Sequence, residues 1–105
     1  GDGYAKDLSG KLKKISETTG AKVSYISILP YIDKSKYHIS LADILKFNSL
    51  MKDELKDTNI RYIDAYAIVE SIDGYKNETS DGLHYSKKIY DNLFDKIIKL
   101  IVENN

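Results

Sequence analysis

The segment Ile60-Arg61-Tyr62-Ile63-Asp64 decides how the predicted elements of this chain are arranged. Its β-branched and aromatic residues favour a short strand, and it follows directly on a helix predicted over residues 41–56. A second strand is predicted upstream, at residues 21–29, which alternate at first and then become apolar on both faces before Pro30. The order strand, helix, strand is typical of a βαβ unit, so we predict that the two strands pair in parallel.

Amphipathic helices are predicted on both sides of this unit. Residues 4–19 repeat apolar side chains at every third or fourth position and stop at Gly20. A last helix follows Ser86, its predicted cap, and two adjacent apolar rows give it a wide stripe toward the core. The rows are Ile89, Leu93, Ile97 and Ile101, and Tyr90, Phe94 and Ile98. Because two strands are too few for a stable open sheet, we expect the chain to supply part of a larger α/β domain whose other strands lie upstream.

The composition excludes several classes of function. Sixteen Lys and Arg balance sixteen Asp and Glu, which removes the basic surface that nucleic acids and anionic membranes attract. The chain has no Cys, so disulfides and thiolate metal sites are excluded. No apolar run approaches the roughly 18 residues that a membrane span requires. We therefore predict no nucleic-acid partner and no membrane span, and the compartment stays open.

Residues 80–86, Ser-Asp-Gly-Leu-His-Tyr-Ser, contain the side chains best suited to chemistry. Asp81 and His84 lie three residues apart on a predicted loop just before the last helix. An imidazole can take the proton of a hydroxyl nucleophile, and a carboxylate on its other nitrogen fixes the tautomer and stabilises the imidazolium. Gly82 gives the turn freedom to bend. The dipeptide Asp-Gly is also common in ordinary turns, and a surface His near a helix start needs no catalytic role.

This run and the helix after it resemble the last block of the SGNH, or GDSL-type, serine hydrolases, in which Asp-x-x-His supplies two members of the triad. The resemblance covers residues 20–102 and includes a strand ending at Pro30, Asn48 within a helix, and Asp64 at a strand end. It implies a three-layer α/β/α flavodoxin-like fold with a parallel sheet. Residues 1–105 would then be the C-terminal portion of a single domain.

The resemblance also implies an activity. His84 would be the general base and then the general acid, Asp81 would orient it, and Tyr85 is a candidate for substrate contact. The substrate would be a small acyl ester of a carbohydrate or lipid alcohol, and no cofactor would be needed. The nucleophilic Ser would lie in an N-terminal segment beyond this sequence, so the N-terminal half of the same domain is the expected protein partner.

The nucleophile is the main departure from the family pattern. The segment Gly1-Asp2-Gly3 has Gly where the family has Ser, and it stands too close to the strand at Val23. Alternatively, Asp2 or Asp7 follows the family's Gly-x-Asn-Asp block, which is the placement we prefer. Ser80 and Ser86 are interpreted as loop and cap residues. The alternative function is therefore a noncatalytic or degenerate α/β module that uses its crevice only for binding.

The histidines do not predict a metal site, and Asp64 and most of the loop tyrosines are interpreted as structural. His38 and His84 are far apart in sequence and are accompanied by no motif of metal-ligand spacing, so no metal is predicted. Asp64 is predicted to bind nearby backbone amides. The loop tyrosines are expected to cover core edges more often than to contact a sugar or acyl group. These tyrosines are Tyr31, Tyr37, Tyr75 and Tyr85.

Overall fold

The computed structural model describes residues 2–103, which form four α-helices and two short strands. Helices account for 58% of these residues and strands for 6%. Gly1 lies outside the described residues, while Asp2 and Gly3 belong to the first helix. The elements, in order, are α1 (Asp2–Thr19), β1 (Ser24–Ile26), α2 (Leu41–Leu55), β2 (Arg61–Ile63), α3 (Ala65–Glu70), a 3₁₀ turn (Tyr75–Asn77) and α4 (Lys87–Glu103).

The prediction of a three-layer α/β/α flavodoxin-like fold is wrong. The two strands do pair in parallel, with Tyr25 opposite Tyr62, but each contributes only three residues. Residues 28 and 29, predicted to continue the first strand, lie outside the ladder, and Ile26 within the strand is 43% exposed. Strand propensity records how well side chains suit a pleated, half-buried surface, and it does not fix how far the pairing extends. The described residues thus contain a two-stranded ribbon and no sheet that helices could sandwich.

The first of two compact units comprises residues up to Ser27 together with residues 42–63. Its helices and strands share one apolar cluster, and the rings of Tyr25 and Tyr62 lie 5.9 Å apart on one face of the ribbon. Helix α1 ends at Thr19, just before the predicted stop Gly20, whose φ of +69° suits glycine. The fully buried members of the cluster are Ala5, Met51, Leu55 and Ile60.

The second unit comprises residues 28–41 and the chain from Asp64 onward. Asp64 caps α3, since its carboxylate accepts from the Ala67 amide at 3.0 Å, as predicted for a structural residue. Helix α3 packs against α4. In the first apolar row of α4, the residues Ile89, Leu93 and Ile97 are buried. The second row was expected in the core as well, yet Phe94 is 49% exposed.

The helices of the described chain give no candidate for a bilayer crossing: within residues 2–103, none combines sufficient length with sufficient apolar character.

Candidate acid–base site

The loop that carries Asp81 and His84 is closed by its own polar groups. The Thr79 hydroxyl accepts from the Gly82 amide at 2.9 Å and donates to the His84 carbonyl at 2.7 Å. Thr79 is buried, so these bonds are shielded from water. At the base of the loop, Ser86 donates its amide to the Glu78 carbonyl at 2.8 Å and its hydroxyl to the Glu78 carboxylate at 2.7 Å. The loop is therefore a defined turn.

Gly82 is the residue that this turn requires. Its φ is +87°, a conformation that side chains with a Cβ rarely adopt. A Cβ at this position would stand 1.8 Å from the carbonyl oxygen of Ile32, which is far inside van der Waals contact. The close approach allows a backbone hydrogen bond, in which the Ile32 amide donates to the Gly82 carbonyl at 2.9 Å. The predicted role of Gly82 in bending the turn is confirmed.

Asp81 accepts hydrogen bonds on both of its carboxylate oxygens. Oδ1 accepts from the amides of Leu83 and His84, each at 2.8 Å. Oδ2 is 2.7 Å from Nδ1 of His84 and accepts from the Tyr37 hydroxyl at 3.3 Å. The bond with the His84 side chain, followed by the two amide bonds, holds the pKa of Asp81 well below its usual range. The carboxylate is therefore ionised at neutral pH.

His84 presents one ring nitrogen to Asp81 and the other to the surroundings. An ionised carboxylate can only accept, so Nδ1 carries the proton of this bond. In the neutral ring the lone pair then lies on Nε2. The side chain of His84 is 70% exposed, and within residues 2–103 no group is hydrogen-bonded to Nε2. This is the arrangement that a general base needs, namely an oriented ring with an accessible lone pair.

The hydroxyls of Tyr85, the remaining predicted site residue, and of Ser86, the predicted cap, are both hydrogen-bonded to groups other than His84. Tyr85 is buried, and its hydroxyl donates to the Pro30 carbonyl at 2.6 Å. Burial, with smaller contributions from neighbouring tyrosines, raises the pKa of Tyr85 to about 12. The predicted substrate contact of Tyr85 gains no support from this placement. Ser86 directly precedes α4, and its carbonyl accepts from the amides of Ile89 and Tyr90. Its hydroxyl donates to the Glu78 carboxylate, so the predicted side-chain cap is not formed.

Tyr37 and Thr79 were not predicted to belong to the site. Thr79 could have been found from its position, because a hydroxyl two residues before an Asp-Gly turn can bond within that turn. Tyr37 carries no such signal, since it lies 44 residues from Asp81 in sequence. His38 lies next to Tyr37, on the wall of an open hollow of about 550 Å³. Among the described residues, no three side chains of His, Asp or Glu could together hold a metal ion.

Comparison with known proteins gives no identification, because no protein-family model, no curated protein and no solved structure matches the chain. The resemblance to SGNH hydrolases therefore rests on the motif residues alone.

Proposed function

We propose that Asp81 and His84 are the acid–base pair of a serine ester hydrolase of the SGNH type. The observation that carries this proposal is the 2.7 Å bond between Nδ1 of His84 and Oδ2 of Asp81, with the opposite ring nitrogen exposed. The resemblance supports it through the 81–86 block only, and the architecture is not part of the argument. The substrate class that follows is a small acyl ester of a carbohydrate or lipid alcohol.

The proposed reaction uses His84 twice. Nε2 takes the hydroxyl proton of the nucleophilic Ser as its oxygen attacks the ester carbonyl carbon, and the imidazolium then gives that proton to the departing alcohol. Water repeats the sequence on the acyl-enzyme, releasing the acid and restoring the Ser. Asp81 stays ionised throughout, because the bond with the His84 side chain, followed by the two backbone amide bonds, holds its pKa well below its usual range. Its charge stabilises the imidazolium in each half of the reaction.

The nucleophile is assigned to a segment other than residues 2–103. Within these residues, no serine hydroxyl is hydrogen-bonded to the imidazole of His84. Ser86, the nearest serine on the C-terminal side, already donates its hydroxyl to Glu78. The proposal therefore requires a Ser contributed by another part of the complete gene product.

The test compares the two histidines in the complete gene product. His84→Ala should reduce hydrolysis of p-nitrophenyl acetate by about 10³-fold, because general-base catalysis is lost. It should also abolish labelling of a serine by a fluorophosphonate probe. His38→Ala is the matched control, since His38 is also an exposed loop histidine but is not bonded to Asp81.

Two results would contradict the proposal. One is unchanged turnover in His84→Ala, and the other is a complete gene product in which no serine reacts with the probe. Either result would leave the noncatalytic binding module as the better description of the chain.

A further inference from the structure

We propose that Tyr37 is a positioning residue that acts on His84 through Asp81. The expected effect of Tyr37 on turnover rests on the proposed function, whereas its expected effect on the His84 ring does not. The Tyr37 hydroxyl donates to Oδ2 of Asp81 at 3.3 Å, the same oxygen that accepts from His84 Nδ1. No other side chain outside the 78–86 loop is hydrogen-bonded to Asp81 among the residues that the structure describes.

Tyr37 is itself held in place by the segment around it. The hydroxyl of Tyr31, a buried residue, donates to the Tyr37 carbonyl at 3.1 Å. The same segment is tied to the catalytic loop at two further points, through the Ile32 amide on Gly82 and the Tyr85 hydroxyl on Pro30. The Tyr37 backbone is thus fixed by a buried anchor, while the residue itself is 42% exposed and its hydroxyl reaches the carboxylate.

The bond from Tyr37 completes the set of donors around Asp81. Two backbone amides hold Oδ1, whereas Oδ2 would depend on His84 alone if Tyr37 were absent. A carboxylate held on one oxygen by the loop can tilt its other oxygen, and the imidazole would tilt with it. The Tyr37 hydroxyl restricts this tilt, because it donates to Oδ2 from a position that does not depend on the imidazole. The Asp81 charge raises the pKa of Tyr37, so its hydroxyl keeps its proton at neutral and mildly basic pH.

The first measurement is made on the 105-residue chain and needs no enzymatic activity. In Tyr37→Phe we expect the Nδ1 proton of His84, observed by NMR, to exchange faster with water and to lose part of its hydrogen-bonded downfield shift. Tyr4→Phe is the matched control, because Tyr4 is exposed and its ring packs on Phe47 in the other unit. An Nδ1 proton that is unchanged in Tyr37→Phe overturns the proposal, whether or not the protein is an esterase.

The second measurement is made on the complete gene product. Tyr37→Phe should lower kcat for p-nitrophenyl acetate by about 3- to 10-fold, the loss of one hydrogen bond, with KM changed by less than about twofold. In an Asp81→Asn background the same substitution should have no further effect on kcat, because the two residues act as one pathway. A full additional loss in that background, or an effect on KM alone, would show that Tyr37 does not act through Asp81.

Discussion

Asp81 organises the loop with one oxygen and the imidazole with the other. Oδ1 accepts the amides of Leu83 and His84, which fixes the turn, while Oδ2 faces His84 Nδ1. Because both sets of hydrogen bonds favour the ionised form, the loop itself stabilises the carboxylate. The sequence predicted this pairing of Asp81 with His84, since two side chains three residues apart on a turn come within reach of each other. It did not predict that the backbone amides of Leu83 and His84 would also donate to the Asp81 carboxylate.

The charge of Asp81 should make the stability of the chain sensitive to acid. Its pKa is lower in the folded chain than the ordinary value of 3.8, so the folded state binds the proton less readily than the unfolded state does. The stabilisation is therefore complete above that ordinary value and is lost as the pH falls below it. In urea titrations of the 105-residue chain at a series of pH values, Asp81→Asn should lose part of this acid dependence. A variant with the full acid dependence of the parent chain would place the responsible carboxylate elsewhere.

The 78–86 loop depends on a close backbone approach that only glycine permits. Gly82 and Gly74 both have positive φ, of +87° and +74°, but only Gly82 lies against another part of the backbone. A Cβ on Gly74 meets nothing within 4 Å. The two glycines therefore separate the cost of an unusual φ from the cost of a steric clash.

Alanine substitution at these two glycines should have clearly different effects. Gly74→Ala should cost about 1 kcal/mol of unfolding free energy, the strain of a left-handed conformation alone. Gly82→Ala adds the displacement of Ile32, and we expect a total of about 3 kcal/mol or more, measured by urea unfolding. Equal costs would mean that the Ile32 backbone moves away easily and that the loop is less constrained than the structure indicates.

At the scale of the whole molecule, features set by a few neighbouring residues were predicted more successfully than the layered architecture. Caps and stops such as Asp64 and Gly20 were predicted, because their physics is contained in a few neighbouring residues. The parallel pairing of the two strands was also predicted. The layered architecture failed, since it depends on how far strands extend and what covers them, which propensity does not specify. Tyr37 was missed for the same reason, as only tertiary structure brings it to Asp81.

The two apolar rows of helix α4 differ in burial, although both were predicted to face the core. A helix covering one face of a sheet would bury both of its apolar rows, whereas here Leu93 is 2% exposed and its neighbour Phe94 is 49% exposed. Leu93→Ala should therefore cost about 2 to 4 kcal/mol of unfolding free energy in the 105-residue chain, through lost burial and a cavity. Phe94→Ala should cost less than about 1 kcal/mol, since its main loss is the stacked contact with Tyr90 at 6.2 Å. Urea unfolding of the two variants measures both costs. Similar large costs would mean that Phe94 is buried as deeply as Leu93 in the folded chain.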